Sequence, residues 1–201
     1  MKSRSVTKAA DKTKRMVYTA LFAALIAVLS QISIPLPSGV PITLQTFAVA
    51  FAGFFLGRKY GLAAVAVYVA LGAAGAPVFA GFTGGAYKLV NVTGGFIWGF
   101  FPFVIMTGAR SPETDRISAA ALSVLGLAMC HLIGVAQYAA LTGNGFAASA
   151  LVVSVPYIVK DLLSVTLAAM LSSAVSRRLR SPFRSAAADG RKLMKELKNI
   201  S

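Results

Sequence analysis

The sequence predicts an all-α membrane protein of six transmembrane helices, with the N- and C-termini both cytoplasmic. Three observations carry that reading. Hydrophobic residues make up 57% of the 201 positions and charged residues only 13%, a balance foreign to soluble domains of this length. Apolar runs bounded by Gly, Pro or charge recur six times along the chain. The net charge of +14 comes from 20 Lys and Arg gathered into a few clusters, and the clusters alternate with the apolar runs as the positive-inside rule requires.

The first fifteen residues hold Lys2, Arg4, Lys8, Lys12, Lys14 and Arg15 and read as a basic cytoplasmic segment, 1–15. The apolar run 16–34 lacks a small-residue cleavage site, so it is a retained first helix and not a secretory leader. Runs 42–56 and 61–76 flank Arg58 and Lys59, and runs 88–109 and 117–141 flank Arg110 and Arg116. The last run, 149–175, leads into a basic tail, 177–201, with Arg177, Arg178, Arg180, Arg184, Arg191, Lys192, Lys195 and Lys198. A crossing takes about 20 residues, which the first, fourth, fifth and sixth runs supply while the second and third are short. The membrane domain spans 16–176. With the N-terminus inside, the cation clusters fall inside after two, four and six crossings. The outer connections 35–41 (PLPSGVP), 77–85 (PVFAGFTGG) and 142–148 (TGNGFAA) carry no cation, and their Gly and Pro suit either tight turns or irregular segments that line a cavity.

Only Lys88 and Lys160 lie outside the cation clusters, and Asp161 is the one acid of six that falls inside an apolar run. A charge near the bilayer centre costs about 3 kcal/mol, so each needs either a ligand or a structural reason, such as an ion pair between helices or snorkelling to the interface. With helix six starting near Ser149, Lys160 and Asp161 lie about 17 Å down it. Lys88 opens helix four, Thr43 and Gln45 open helix two, Gln31 and Ser33 close helix one, and Gln137 and Tyr138 close helix five. The polar side chains therefore gather toward the outer side, as a pocket open to the outside. His131, beside Cys130, reads as a hydrogen-bonded helix contact. A lone cysteine can form neither an intramolecular disulfide nor a metal site by itself.

Enzyme classes find little support: HExxH, GxSxG and a carboxylate pair are all absent, and with them the common reaction centres they build. No GxxxxGK[ST] phosphate loop occurs, so any ATP-driven uptake needs an ATPase on another chain. The cations flank helices without interleaved aromatics, which points to the lipid bilayer and excludes nucleic acid as a partner. Ala20 and Ala24, with Ala23 and Ala27 offset along the same helix, permit close approach of a partner helix.

Four motifs in order, PLPSGVPITLQT (35–46), GAPVFAGFTGG (75–85), TGGFIWGF (93–100) and PYIVKDLLSVTLA (156–168), make the chain resemble the BioY family. These are the biotin-specific substrate-binding subunits, or S components, of energy-coupling factor transporters, and the resemblance runs over residues 17–175. It implies the six-helix S-component fold in the cytoplasmic (inner) membrane. It also implies a partner module of one transmembrane coupling protein and two ATPase subunits, with Ala20 and Ala24 matching the family's AxxxA docking motif. Whether uptake needs that module, and whether the chain forms a homo-oligomer, stays open. Biotin is the transported ligand, and no cofactor is implied.

For biotin, Asp161 is suited to accept from the ureido N–H groups, and either Lys160 or Lys88 to meet the valerate carboxylate. Asn91 and Gln45 are placed to orient the ureido oxygen, and Phe79, Tyr87 and Trp98 to cover ring and chain. Two departures stand out: Val92 replaces the proline of the family's Pro-Thr-Gly-Gly, and Ser164 replaces the lysine of its Asp-x-x-Lys. Lys160 lies one turn before Ser164 on the same face and reads as a shifted replacement. The competing readings are an S component for another small vitamin and a membrane-embedded enzyme or accessory subunit.

Overall fold

A computed structural model describes residues 2–179, with side chains from 11 to 178. Most of the basic tail, from Arg180 on, lies outside the described residues. In chain order the elements are α1 (Lys2–Ser30), β1 (Ser33–Ile34), β2 (Ile42–Thr43), α2 (Gln45–Ala73), α3 (Tyr87–Val90), α4 (Gly94–Thr107), α5 (Arg116–Thr142), α6 (Phe146–Val153) and α7 (Val155–Leu179). Among the described residues, four helical stretches are long and apolar enough to cross a membrane: Asp11–Ser30, Gln45–Ala73, Arg116–Thr142 and Val155–Arg178. The apolar α4 is shorter, at 14 residues.

The second of these stretches is bent back on itself. Gly57 has φ 74° and ψ 175°, a conformation open essentially to glycine alone. On either side of it, a Cβ added to Gly61 would lie 3.2 Å from the Ala52 oxygen and from Gly53 Cα. Gln45 Nε2 likewise donates to Tyr68 Oη at 2.6 Å. Residues 45–56 and 58–73 are therefore antiparallel limbs of a hairpin whose tip holds Arg58 and Lys59. At 12 and 16 residues the limbs are about 18 and 24 Å long, in keeping with two short apolar runs.

Two other expected boundaries move. The fourth run, expected as one helix from Lys88, is divided. Lys88 sits on the single turn α3, Asn91 is extended, and the Asn91 carboxamide oxygen accepts from Thr93 N–H at 3.0 Å and from its hydroxyl at 2.7 Å. That side-chain turn diverts the chain before α4 begins. The sixth run is divided too. Ser154 leaves helical geometry after α6, and Pro156 suits the first turn of a new helix, where a missing N–H leaves no bond unmade. Asp161 thus lies six residues into α7, about 9 Å from its start and not 17 Å.

Aromatic and small residues build the core. Phe22 of α1 stacks on Phe55 at 5.3 Å and packs against Phe51 at 5.0 Å. Phe22, Ala23, Ile26 and Ser30 are buried, whereas Val17, Ala20, Leu21, Ala24 and Val28 leave the opposite face of α1 exposed. Between α4 and α5 the backbones nearly touch: a Cβ on Gly99 would lie 2.7 Å from Cys130 Cα, and one on Gly95 2.9 Å from Gly134 Cα.

Apart from Lys88 and Lys160, the described cations belong to the sequence clusters, and these collect at one end. Arg15 Nη1 donates to Tyr60 Oη at 3.4 Å, the Arg58 N–H donates to the Gly108 carbonyl at 3.1 Å, and Arg116 and Arg177 line one groove. The other end carries the β1–β2 pair, with Ser33 opposite Thr43 and Ile34 opposite Ile42, and the glycine-rich connection 75–85.

Candidate substrate site

Side-chain hydrogen bonds, more than regular structure, shape the end opposite the cation clusters. The Ser30 hydroxyl donates to the Val78 carbonyl. Gln31 Nε2 donates to the same carbonyl at 3.1 Å, and Gln31 Oε1 accepts from Phe82 N–H at 2.7 Å. Two residues closing α1 thus pin the 77–85 connection, and Phe82 is held there at φ 56°. Gln137 Nε2 on α5 donates to the carbonyls of Leu89 and Asn91 at 3.0 and 2.8 Å, which ties down α3. Tyr157 Oη donates to the Val40 carbonyl, which secures 35–41. Most of these polar side chains are spent on irregular backbone that would otherwise be orphaned at membrane depth.

The pinned segments surround a cavity of about 230 Å³ lined by Ser33, Leu36, Gln45, Phe79, Thr83, Lys88, Thr93 and Ile97, among others. Of the expected ligand residues, Gln45, Phe79 and Lys88 meet on its wall. Phe79 is 2% exposed; it packs edge-on against Tyr68 at 5.5 Å and fills the space that a side chain at Gly72 would need. Gln45 is oriented from both sides, accepting from Thr43 Oγ1 at 2.9 Å and donating to Tyr68. One N–H and one carbonyl lone pair of its amide remain beyond those bonds. Asn91 reaches the cavity only through Thr93, whose hydroxyl it accepts.

Two expected wall aromatics are elsewhere. Tyr87 is 58% exposed and lies under the Lys88 ammonium, 5.4 Å from ring centroid to nitrogen. Trp98 is half-exposed, donates to the Leu89 carbonyl at 3.0 Å and stacks on Phe101 at 6.0 Å. On α4, Trp98 lies about 100° around the helix from Gly99, off the seam with α5.

Lys160 and Asp161 do not line the cavity; they lie behind β2. The Lys160 ammonium donates to the Thr43 carbonyl at 3.0 Å and forms an ion pair with Asp161 Oδ1. Asp161 Oδ2 meets His131 Nε2 at 3.2 Å, and His131 Nδ1 meets the Ser154 hydroxyl at 2.9 Å. The two ring nitrogens thus link the Asp161 carboxylate to the Ser154 hydroxyl.

His131, read from the sequence as a bland helix contact, is therefore the second partner of the one acid within an apolar run. Its placement opposite Asp161 depends on how α5 and α7 pair, which spacing along the chain cannot convey. Ser164, one turn past Lys160, is buried at 5% exposure. Among the described residues no three His, Cys, Asp or Glu side chains form a metal-holding group.

This arrangement couples the two polar regions through β2. Lys160 fixes the Thr43 carbonyl, the Thr43 hydroxyl fixes Gln45, and Gln45 forms part of the cavity wall.

Comparison with known proteins gives the chain a family. The BioY family model matches residues 1–181. The biotin transporter BioY of Thermotoga maritima is 43% identical over 61% of this chain and 72% of its own length. The probable biotin transporter BioY of Pyrococcus horikoshii is 35% identical over 80% of this chain and 95% of its own. Among solved structures, the S component for biotin from an ECF-type ABC transporter superposes with a TM-score of 0.74 at 26% identity, covering 84% of this chain and 92% of that one. On a match spanning nearly the whole described chain, this protein belongs to the BioY family.

Proposed function

We propose that this chain takes up biotin, as the substrate-binding subunit of an energy-coupling factor transporter, capturing it in the cavity at the end opposite the cation clusters. The observation that carries the reading is the union of that cavity, with Gln45, Phe79 and Lys88 on its wall, with biotin-transporter relatives that align over almost their full length. The family's members are transport proteins, and the chain is not an enzyme. Lys88 at the wall offers a cation to the valerate carboxylate, Gln45 an amide to the ureido group, and Phe79 an apolar surface to the ring. Lys160 and Asp161 act from behind β2, by holding Thr43 and through it Gln45, with Ser164 and Asn91 completing the surrounding frame. Biotin is cargo here and not a resident cofactor.

The hairpin at Gly57 supports six crossings: α1, the two limbs of α2, α4, α5 and α7. Gathering of the cations at one end supports placing that end, with both termini, in the cytoplasm of a cell whose inner membrane the chain spans. Reporter fusions at Arg58 and Ser111 are expected to read cytoplasmic, and an external reading at either would reverse the orientation. The exposed small residues Ala20 and Ala24 offer a face for the coupling protein, which in turn carries two ATPase subunits.

Equilibrium binding of labelled biotin to the purified full chain tests the function, with thiamine and riboflavin as competitors. Biotin alone should compete. Displacement by another vitamin would shift the substrate, and absence of binding by folded protein would remove the reading. In the same assay Ala24→Trp should bind biotin normally while losing co-purification with the coupling protein.

A further inference from the structure

On the face of α5 and α7 nearest the cationic end, the two helices part. Between them runs a groove of about 520 Å³, bounded by Arg116, Ala120 and Val124 of α5 and by Leu162, Ala169 and Arg177 of α7, among others. Its buried floor includes Phe54, Ala119 and Val165. From Leu162 to Arg177 it extends about 22 Å along α7, about three quarters of a hydrocarbon core about 30 Å thick and so enough to take the acyl chain of one leaflet. Its polar content is nearly all at one end. Thr166 spends its hydroxyl on the Leu162 carbonyl of its own helix, whereas Arg116 and Arg177 stand exposed beside the cation clusters.

No acid among the described residues pairs with either arginine: the two recorded ion pairs both involve Asp161. Nearby Asp115 is turned to its own helix, accepting from Ser118 N–H at 3.0 Å.

We propose that this groove holds an anionic phospholipid of the cytoplasmic leaflet, one acyl chain lying between α5 and α7 and the phosphate between Arg116 and Arg177. The chemistry follows from placement. An apolar slot one leaflet deep, closed by two guanidinium groups at headgroup level, matches an acyl chain below a phosphate, and guanidinium is the side chain best suited to bidentate phosphate contact. Basic pockets between transmembrane helices on the cytoplasmic side are where anionic headgroups are recognised. A second copy of this chain would present its own arginines at the same level and meet charge repulsion there. The outward groove between the same helices, lined by Leu132, Phe146 and Ile158, carries no cation and offers a headgroup nothing comparable. The proposal does not depend on the substrate being biotin.

The test is native mass spectrometry of the full chain, released from detergent containing equal phosphatidylglycerol and phosphatidylcholine of identical acyl chains. The wild-type chain should retain phosphatidylglycerol at least about tenfold over phosphatidylcholine. Arg116→Gln with Arg177→Gln should abolish that preference, while Arg58→Gln with Lys59→Gln should leave it intact. Ala120→Trp, which fills the groove, should lower retention of both lipids. Equal retention of the two lipids by the wild type overturns the proposal. So does an equal loss in the Arg58/Lys59 variant, which would mean a diffuse charge effect. A lipid-free dimer that Ala120→Trp dissolves would assign the groove to a second copy instead.

Discussion

The two faces of α5 are built on opposite plans. Toward α4 the contact is mainly shape: Gly95 and Gly99 of α4 bring its backbone against Gly134 and Cys130, and Gly126 of α5 receives Phe103 and Met106, with one weak thiol hydrogen bond from Cys130 to the Phe96 carbonyl. Toward α7 the contact is chemistry. His131 joins Asp161 across the seam, and beyond that link the helices part into the arginine-rimmed groove. In a bilayer lipid is as apolar as leucine, so two helices associate either by close packing or by polar groups that need each other. The first plan leaves no room and the second leaves room on purpose. A fixed scaffold of α2, α4 and α5 is thereby set beside a helix, α7, whose lysine governs the cavity wall.

The largest effect expected is on the packed face. Gly99→Val places a branched side chain where even a Cβ meets the Cys130 backbone at 2.7 Å. Backbone cannot give way as a flexible side chain can, so the cost should be about 3 kcal/mol, the upper part of the range for overpacking. Thermal unfolding of the purified chain should show a midpoint lowered by several degrees or a failure to accumulate. An unchanged midpoint would break the idea that close packing holds this seam.

On the polar face the expected loss is functional first. Asp161→Asn keeps shape but removes the charge that Lys160 and His131 share, freeing Lys160 from its place on the Thr43 carbonyl. Biotin affinity should fall at least about tenfold, or 1.4 kcal/mol, with a smaller change in midpoint than Gly99→Val gives. Lys160→Ser should weaken binding as well, and adding Ser164→Lys should restore part of the loss if the cation is needed on that face of α7. The four proteins form a double-mutant cycle whose coupling term separates rescue from plain damage. Strictly additive losses would mean that the cation is needed at position 160 itself, where it meets the Thr43 carbonyl.

The same contrast explains what could be read in advance. Apolar runs, the alternation of cation clusters and the turn at Arg58 and Lys59 are local or summed properties, and the arrangement keeps them. Asp161 stood out because charge in an apolar run is costly wherever it lies. The partnership of Asp161 with His131, thirty positions apart, depends on helix pairing that no local property encodes. The exposure of Tyr87 was hidden for a similar reason, since the Asn91 turn that sets α3 apart from α4 decides which way it faces. Gly95 and Gly99 do announce a close contact by their spacing, yet that spacing does not say which helix they meet.

The smallest effect expected bears on the start of α5, which both faces share. Asp115 caps that helix by accepting from the Ser118 N–H at 3.0 Å. Hydrogen bonds from Ser118 to the charged carboxylate hold its pKa below the ordinary 3.8. A lowered pKa in the folded chain means that folding favours the ionised form. The stabilisation is therefore fully present above about pH 4, the unfolded value, and is lost as pH falls through the lower folded value. Asn caps as well as Asp but does not titrate. Asp115→Asn should thus leave the midpoint at pH 7 within about 2 °C of wild type, and should reduce the fall in midpoint between pH 5 and pH 3 by a similar amount. An equal acid-side fall in both proteins would show that the cap at the shared start of α5 contributes nothing measurable to holding either face in register.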